Sequence, residues 1–114
     1  MIIKKDEILI ADNIKIADTF MTRLVGLLGR KSIAENEGIL FTKSSQIHTF
    51  FMRFNIDIIF LDKNRKILKI CHDLKPFRIT SHISESYSGF VSELKSGTAK
   101  KFDLKIGDFI GIIN

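Results

Sequence analysis

The stretch His48-Thr49-Phe50-Phe51-Met52-Arg53-Phe54-Asn55-Ile56-Asp57 sets a histidine, an arginine and an aspartate among three phenylalanines and a methionine. Each polar type has a use. Histidine is a donor whose charge switches near neutral pH, arginine is a fork that matches an anion, and a carboxylate can orient either. If the segment is extended, His48, Phe50, Met52 and Phe54 share one face, and Thr49, Phe51, Arg53 and Asn55 share the other. No flat strand can turn all those aromatics inward, so a bulge, a bend or a partly open aromatic pocket is expected. Two roles fit this pattern. His48 and Arg53 above an aromatic floor could bind an anion or a planar ligand. Alternatively, they form a structural pivot, satisfied by carboxylates such as Asp57 and Glu93.

Other chemistry-bearing residues are less suggestive. The run Gly26-Leu27-Leu28-Gly29-Arg30-Lys31 looks like a phosphate loop, but its glycines end a helical pattern, whereas anions bind at helix N-termini. His48, His72 and His82 lack the spacing that would set two metal ligands on one helical face, so no metal or cofactor is expected. The single cysteine, Cys71, lies in an Ile/Leu-rich run and reads as a small core residue. No Walker loop, HExxH, CxxC or GxSxG occurs.

The elements that must position these residues follow from hydrophobic period. Phe20, Leu24, Leu27 and Leu28 fall on one helical face, with Asp18 or Thr19 as N-cap and Gly29 as stop, which predicts an amphipathic helix over 19–29. Strands are expected at the N-terminus around a turn at Asp6-Glu7, at Ile14-Lys15-Ile16-Ala17-Asp18 and at Gly38–Thr42. Ile56–Leu61 is apolar on both faces and reads as a doubly covered strand. The turn Asp62-Lys63-Asn64-Arg65-Lys66 then predicts a hairpin to the next strand, with Asn64 at positive φ. A polar loop follows Leu74. Gly89-Phe90-Val91-Ser92-Glu93-Leu94 is another strand, Ser96–Leu104 holds a short helix, and a turn at Gly107-Asp108 feeds a last strand. The predicted fold is mostly β (α+β): one compact domain over 1–114, a largely antiparallel, barrel-like sheet with a packed amphipathic helix and a short helix.

Composition agrees. With 114 residues, 45% hydrophobic and 27% charged, the chain supports one modest core. One cysteine cannot make an internal disulfide, and charges at residues 4–7 interrupt any signal-peptide core. No apolar run approaches the roughly 20 residues of a membrane helix, so a cytoplasmic protein without a membrane span is expected. The net charge of +5 lies wholly in the second half, as scattered lysines rather than arginine forks with stacking aromatics. Such a distribution predicts no specific nucleic-acid recognition, only salt-sensitive attraction to anionic surfaces.

Four ordered blocks resemble one prokaryotic family: Arg23-Leu24-Val25-Gly26-Leu27-Leu28-Gly29-Arg30, Glu37–Phe41, His48–Asp62, and Ser92-Glu93-Leu94-Lys95-Ser96-Gly97 running on to Ile106-Gly107-Asp108. That family is domain of unknown function 192. The resemblance covers nearly the whole chain. It implies a compact β-rich domain and no accepted catalytic residue, and suggests by analogy an accessory role in pilus assembly or secretion. Asn55 stands where the family pattern commonly has proline, which leaves the bend less rigid.

Together these readings predict a small non-catalytic binding or accessory domain for an unidentified small ligand or protein partner. Its surface would join Arg30, His48, Met52, Arg53, Asp57 and Glu93. An alternative is a hydrolase-like enzyme with His48 as base, oriented by Asp57 or Glu93. A third is a protein that docks its lysine-rich half on nucleic acid or an anionic surface.

Overall fold

The computed structural model describes residues 1–17, 30–42, 52–78, 80 and 89–114. At the N-terminus, β1 (Ile2–Lys5) and β2 (Ile8–Ala11) form an antiparallel hairpin that turns at Asp6, φ 54°. The last strand, β8 (Gly111–Ile113), pairs with the other edge of β1 and completes a three-stranded sheet.

The second sheet has five strands: β3 (Asn13–Ala17), β4 (Glu37–Thr42), β5 (Ile56–Leu61), β6 (Ile67–Leu74) and β7 (Phe90–Lys95). Their spatial order is β3-β4-β7-β5-β6. Only β3 and β4 are parallel. Parallel neighbours need a crossover connection, and residues 18–36 supply it. The helix expected over 19–29 falls in that connection and lies outside the described residues. The short helix expected after Ser96 is present as α1 (Thr98–Lys101), entered through Gly97 at φ 93°.

Side-chain alternation divides the core in two. Leu40, Ile59, Leu61 and Leu94 pack from one face of the five-stranded sheet against Ile3, Ile10 and Ala11 of the smaller sheet. On the opposite face, Ile39, Phe41, Ile56, Ile58, Phe60 and Val91 gather with Ile33 and Met52. All six residues of β5 are buried, Asp57 among them, as the apolar character of both its faces predicted.

Two details correct the sequence reading. The strands do not close into a barrel among the described residues. The sheets touch where Ile14 N–H donates to the Met1 carbonyl (3.1 Å) and where Lys66 bridges Phe109, but neither contact extends into a ladder. In the β5–β6 hairpin the residue with positive φ is Arg65 (67°), not Asn64. The Asp62 carboxylate causes this. Its Oδ1 accepts the N–H groups of Asn64 (2.8 Å) and Lys66 (3.0 Å), so the chain turns first and reverses one residue later.

Gly38 sits where strands crowd. A Cβ there would lie 2.7 Å from the Glu93 carbonyl oxygen, 2.7 Å from Leu94 Cδ2 and 2.8 Å from Ile14 Cδ1. The carbonyl belongs to the neighbouring strand and cannot swing aside. Gly38→Ala is therefore expected to lower stability by about 1–3 kcal/mol, read as a lower urea midpoint. An unchanged midpoint would show that β4 and β7 can part at no cost.

Candidate functional site

Asp57 is the second residue of β5 and is fully buried. Its cross-strand partner is Leu94, so it points into the core between the two sheets. Both carboxylate oxygens have backbone donors: Asp73 N–H gives to Oδ1 (2.8 Å) and Ala99 N–H to Oδ2 (2.9 Å). One side chain thereby fastens the end of β6 and the first turn of α1 to β5. Asp73, at φ 50°, adds a second knot, because its Oδ1 accepts Asn55 Nδ2 (2.9 Å) and the Ser96 hydroxyl. The Ser96 bond first, and then that of Asn55, hold the Asp73 carboxyl below its ordinary range. Around this knot, Asp57, His72, Asp73, Ser96, Gly97 and Lys100 line an open cleft of about 260 Å³.

Glu93 occupies the other face. It pairs across the sheet with Ile39 on β4 and Ile58 on β5, both in the second apolar cluster. It is fully buried at the middle of the central strand. Met52, also buried, belongs to the same cluster. Because Asp57 and Glu93 point to opposite faces, the sheet itself lies between them. The six candidate residues therefore do not converge on one surface.

The remaining candidates separate further. The Arg30 fork is occupied by Glu37: Nη1 and Nη2 donate to Oε2 and Oε1, both at 2.9 Å. Arg30, helped by the Ala34 N–H, holds the Glu37 carboxyl at about 2, far below its ordinary 4.5. Arg30 thus anchors the start of β4 and is not a vacant anion fork. Arg53 is exposed, whereas its expected partners Asp57 and Glu93 are sealed away. His48 lies outside the described residues. Cys71 is half-buried, and burial pushes its thiol up, so it is a poor nucleophile. Among the described residues no three His, Cys, Asp or Glu side chains are placed to hold a metal, and no helix is long and apolar enough to cross a membrane. The sequence reading left Asp73 out of the candidate surface. Its available signal was an aspartate at a strand end, a type tolerant of positive φ.

Comparison with known proteins bears on the same blocks. The model of the family domain of unknown function 192, described as an uncharacterized ACR, matches residues 1–112. The chain belongs to this family. Similar proteins include the UPF0127 protein of Pyrococcus horikoshii, 33% identical over 100 residues that cover 85% of this chain and 84% of the relative. A UPF0127 protein of Thermococcus sibiricus is 31% identical over 103 residues, 85% of this chain and 64% of the relative. Among solved structures, a protein of unknown function from Novosphingobium aromaticivorans superposes with a TM-score of 0.74 at 22% identity, covering 87% of this chain and 74% of that one. A second solved structure, described as a putative transcription regulator from Sinorhizobium meliloti, gives 0.71 at 23% identity, covering 86% of this chain and 79% of that one. At such identities the structures speak for the fold alone.

Two measurements test the roles assigned within this member of domain of unknown function 192. Asp57→Ala strands two backbone N–H groups in the core and should cost about 2–4 kcal/mol, seen in urea unfolding. A loss below about 0.5 kcal/mol would mean that water replaces the carboxylate there. The Arg30–Glu37 pair should stabilise the fold on the order of 1 kcal/mol near neutral pH, since both side chains are partly exposed. Because the Glu37 pKa is depressed, that contribution is complete above about pH 4.5 and fades as pH falls towards about 2. Arg30→Met should therefore be weaker than wild type at pH 7 and equal to it near pH 2. A gap that persists in acid would refute the assignment.

Proposed function

We propose that this chain is a small non-catalytic binding domain whose site lies on the Glu93 face of the five-stranded sheet. One observation carries the reading: Glu93 is a wholly buried carboxylate at the centre of the central strand, set among Ile39, Ile58 and other apolar residues. A carboxylate at that depth costs more to bury than Leu or Met unless a partner holds it. A buried ionisable group is a candidate for a functional site. Met52 would contribute the adaptable apolar wall, His48 a switchable donor, and exposed Arg53 the rim. Asp57 and Arg30 are left out because their acceptors and donors serve the fold.

The chemistry favours a ligand with an apolar body and a cationic or hydrogen-bond-donating head. A carboxylate in a low-dielectric site strengthens such bonds, and the cluster around it accepts hydrocarbon. An accessory part in pilus assembly or secretion is the setting that family analogy suggests. A binding domain fits it without any catalytic step.

Thermal-shift measurements with a panel of small aryl- and alkylamines test this reading. At least one amine should raise the melting temperature of the wild type. Glu93→Gln, which keeps shape and removes charge, should fold and weaken that ligand by tenfold or more. If no amine shifts the wild type, or Glu93→Gln responds equally, Glu93 is a structural residue and the site lies elsewhere.

A further inference from the structure

The turn at residues 105–110 leaves Ile106 71% and Phe109 62% exposed, the two most exposed large apolar side chains among the described residues. Neither is displayed on a floppy tip. The turn is stitched to the β5–β6 hairpin loop by three backbone bonds: Ile67 N–H to Asp108 O (2.8 Å), Gly107 N–H to Ile67 O (2.9 Å) and Ile110 N–H to Arg65 O (2.9 Å). Lys66 is bridged directly to Phe109. Both loops therefore stand at one end of the molecule as a single rigid ledge.

The ledge is cationic. Lys63, Arg65, Lys66 and Lys105 lie on it, all exposed. Its carboxylates are committed inward or locally: Asp62 holds the hairpin turn, Asp108 pairs with Lys5 at 2.9 Å and Asp103 with Lys105 at 3.3 Å. Among the described residues, Lys63, Arg65 and Lys66 form no ion pair, and Arg65 stacks over Phe90 at 6.0 Å. Along β8 the outward alternation continues from Phe109 through Gly111 to Ile113, itself 48% exposed.

We propose that this ledge docks the protein on an anionic bilayer surface, with Ile106 and Phe109 entering the interface and Lys63, Arg65, Lys66 and Lys105 meeting lipid phosphates. Charge complementarity decides the occupant. A second copy would bring the same unpaired cations face to face, which opposes self-association through this end. Nucleic acid would answer the cations but would not reward the exposed isoleucine. An anionic membrane satisfies both, since apolar insertion and basic attraction act at the same depth. This surface is separate from the Glu93 site, so the two proposals stand or fall independently.

Sedimentation of the protein with vesicles supplies the test. Vesicles of phosphatidylcholine with one third phosphatidylglycerol should retain it at least tenfold better than phosphatidylcholine alone, with retention falling as salt rises. The double substitution I106S/F109S should keep the melting temperature and lose at least tenfold in binding. K63E/K66E should lose the preference for anionic lipid. The proposal is overturned if wild type ignores both vesicles, binds both equally, or binds as well after I106S/F109S. Capture of phosphatidylglycerol vesicles only through the Glu93 site, read as loss in Glu93→Gln with I106S/F109S unaffected, would also overturn it.

Discussion

A single buried carboxylate fixes how three parts of this chain meet. Asp57 reaches from the doubly covered β5 to backbone donors at the end of β6 and in α1. Backbone N–H groups that lose water must find acceptors, and an acceptor with two oxygens can serve two segments at once. The local consequence is the left-handed Asp73, whose own carboxylate then collects Asn55 and Ser96. The wider consequence is that β7, which leads into Ser96 and α1, enters the sheet at a defined height between β4 and β5. That height sets Glu93 opposite Ile39 and Ile58.

The two carboxylates show how similar burial can have opposite meanings. Asp57 and Glu93 are equally sealed from solvent and lie on adjacent strands, offset by one residue in register. Asp57 sits at a strand end, where turns offer N–H groups. Glu93 sits in mid-strand, where backbone donors are engaged in the ladder, on the face that carries the second apolar cluster. Position along the strand, rather than depth, separates the structural group from the candidate functional one.

Much of the strand pattern was legible in the sequence because period two and turn chemistry are local. The Ile56–Leu61 strand, the hairpin that follows it and a short helix after Gly97 are present, although the positive φ of the turn falls on Arg65. What escaped was information held between distant segments. Whether Asp57 and Glu93 share a face depends on the register of β5 against β7, about thirty-five residues apart, and no local period encodes it. The expected barrel closure, not seen among the described residues, depends likewise on ladders between sheets. Arg30 looked available because its partner Glu37 lies beyond a short irregular segment that brings the two together. The amphipathic helix and His48 fall outside the described residues, so neither enters this comparison.

The strand order also carries a consequence for how the molecule is made. The central strand of the larger sheet, β7, is the seventh in chain order, and β1 waits for β8 to gain its second neighbour. While the chain emerges from the ribosome, β4 and β5 present open ladder edges that only β7 can close, for some thirty residues of synthesis after β5 and nearly fifty after β4. Until then a strand as apolar as Ile56–Leu61 is exposed to other nascent chains. Most pairings here are distant in sequence, so closure is slow by topology as well as late. The exposed edge is thus a feature of the growing chain and not of the finished domain, where β7 covers it.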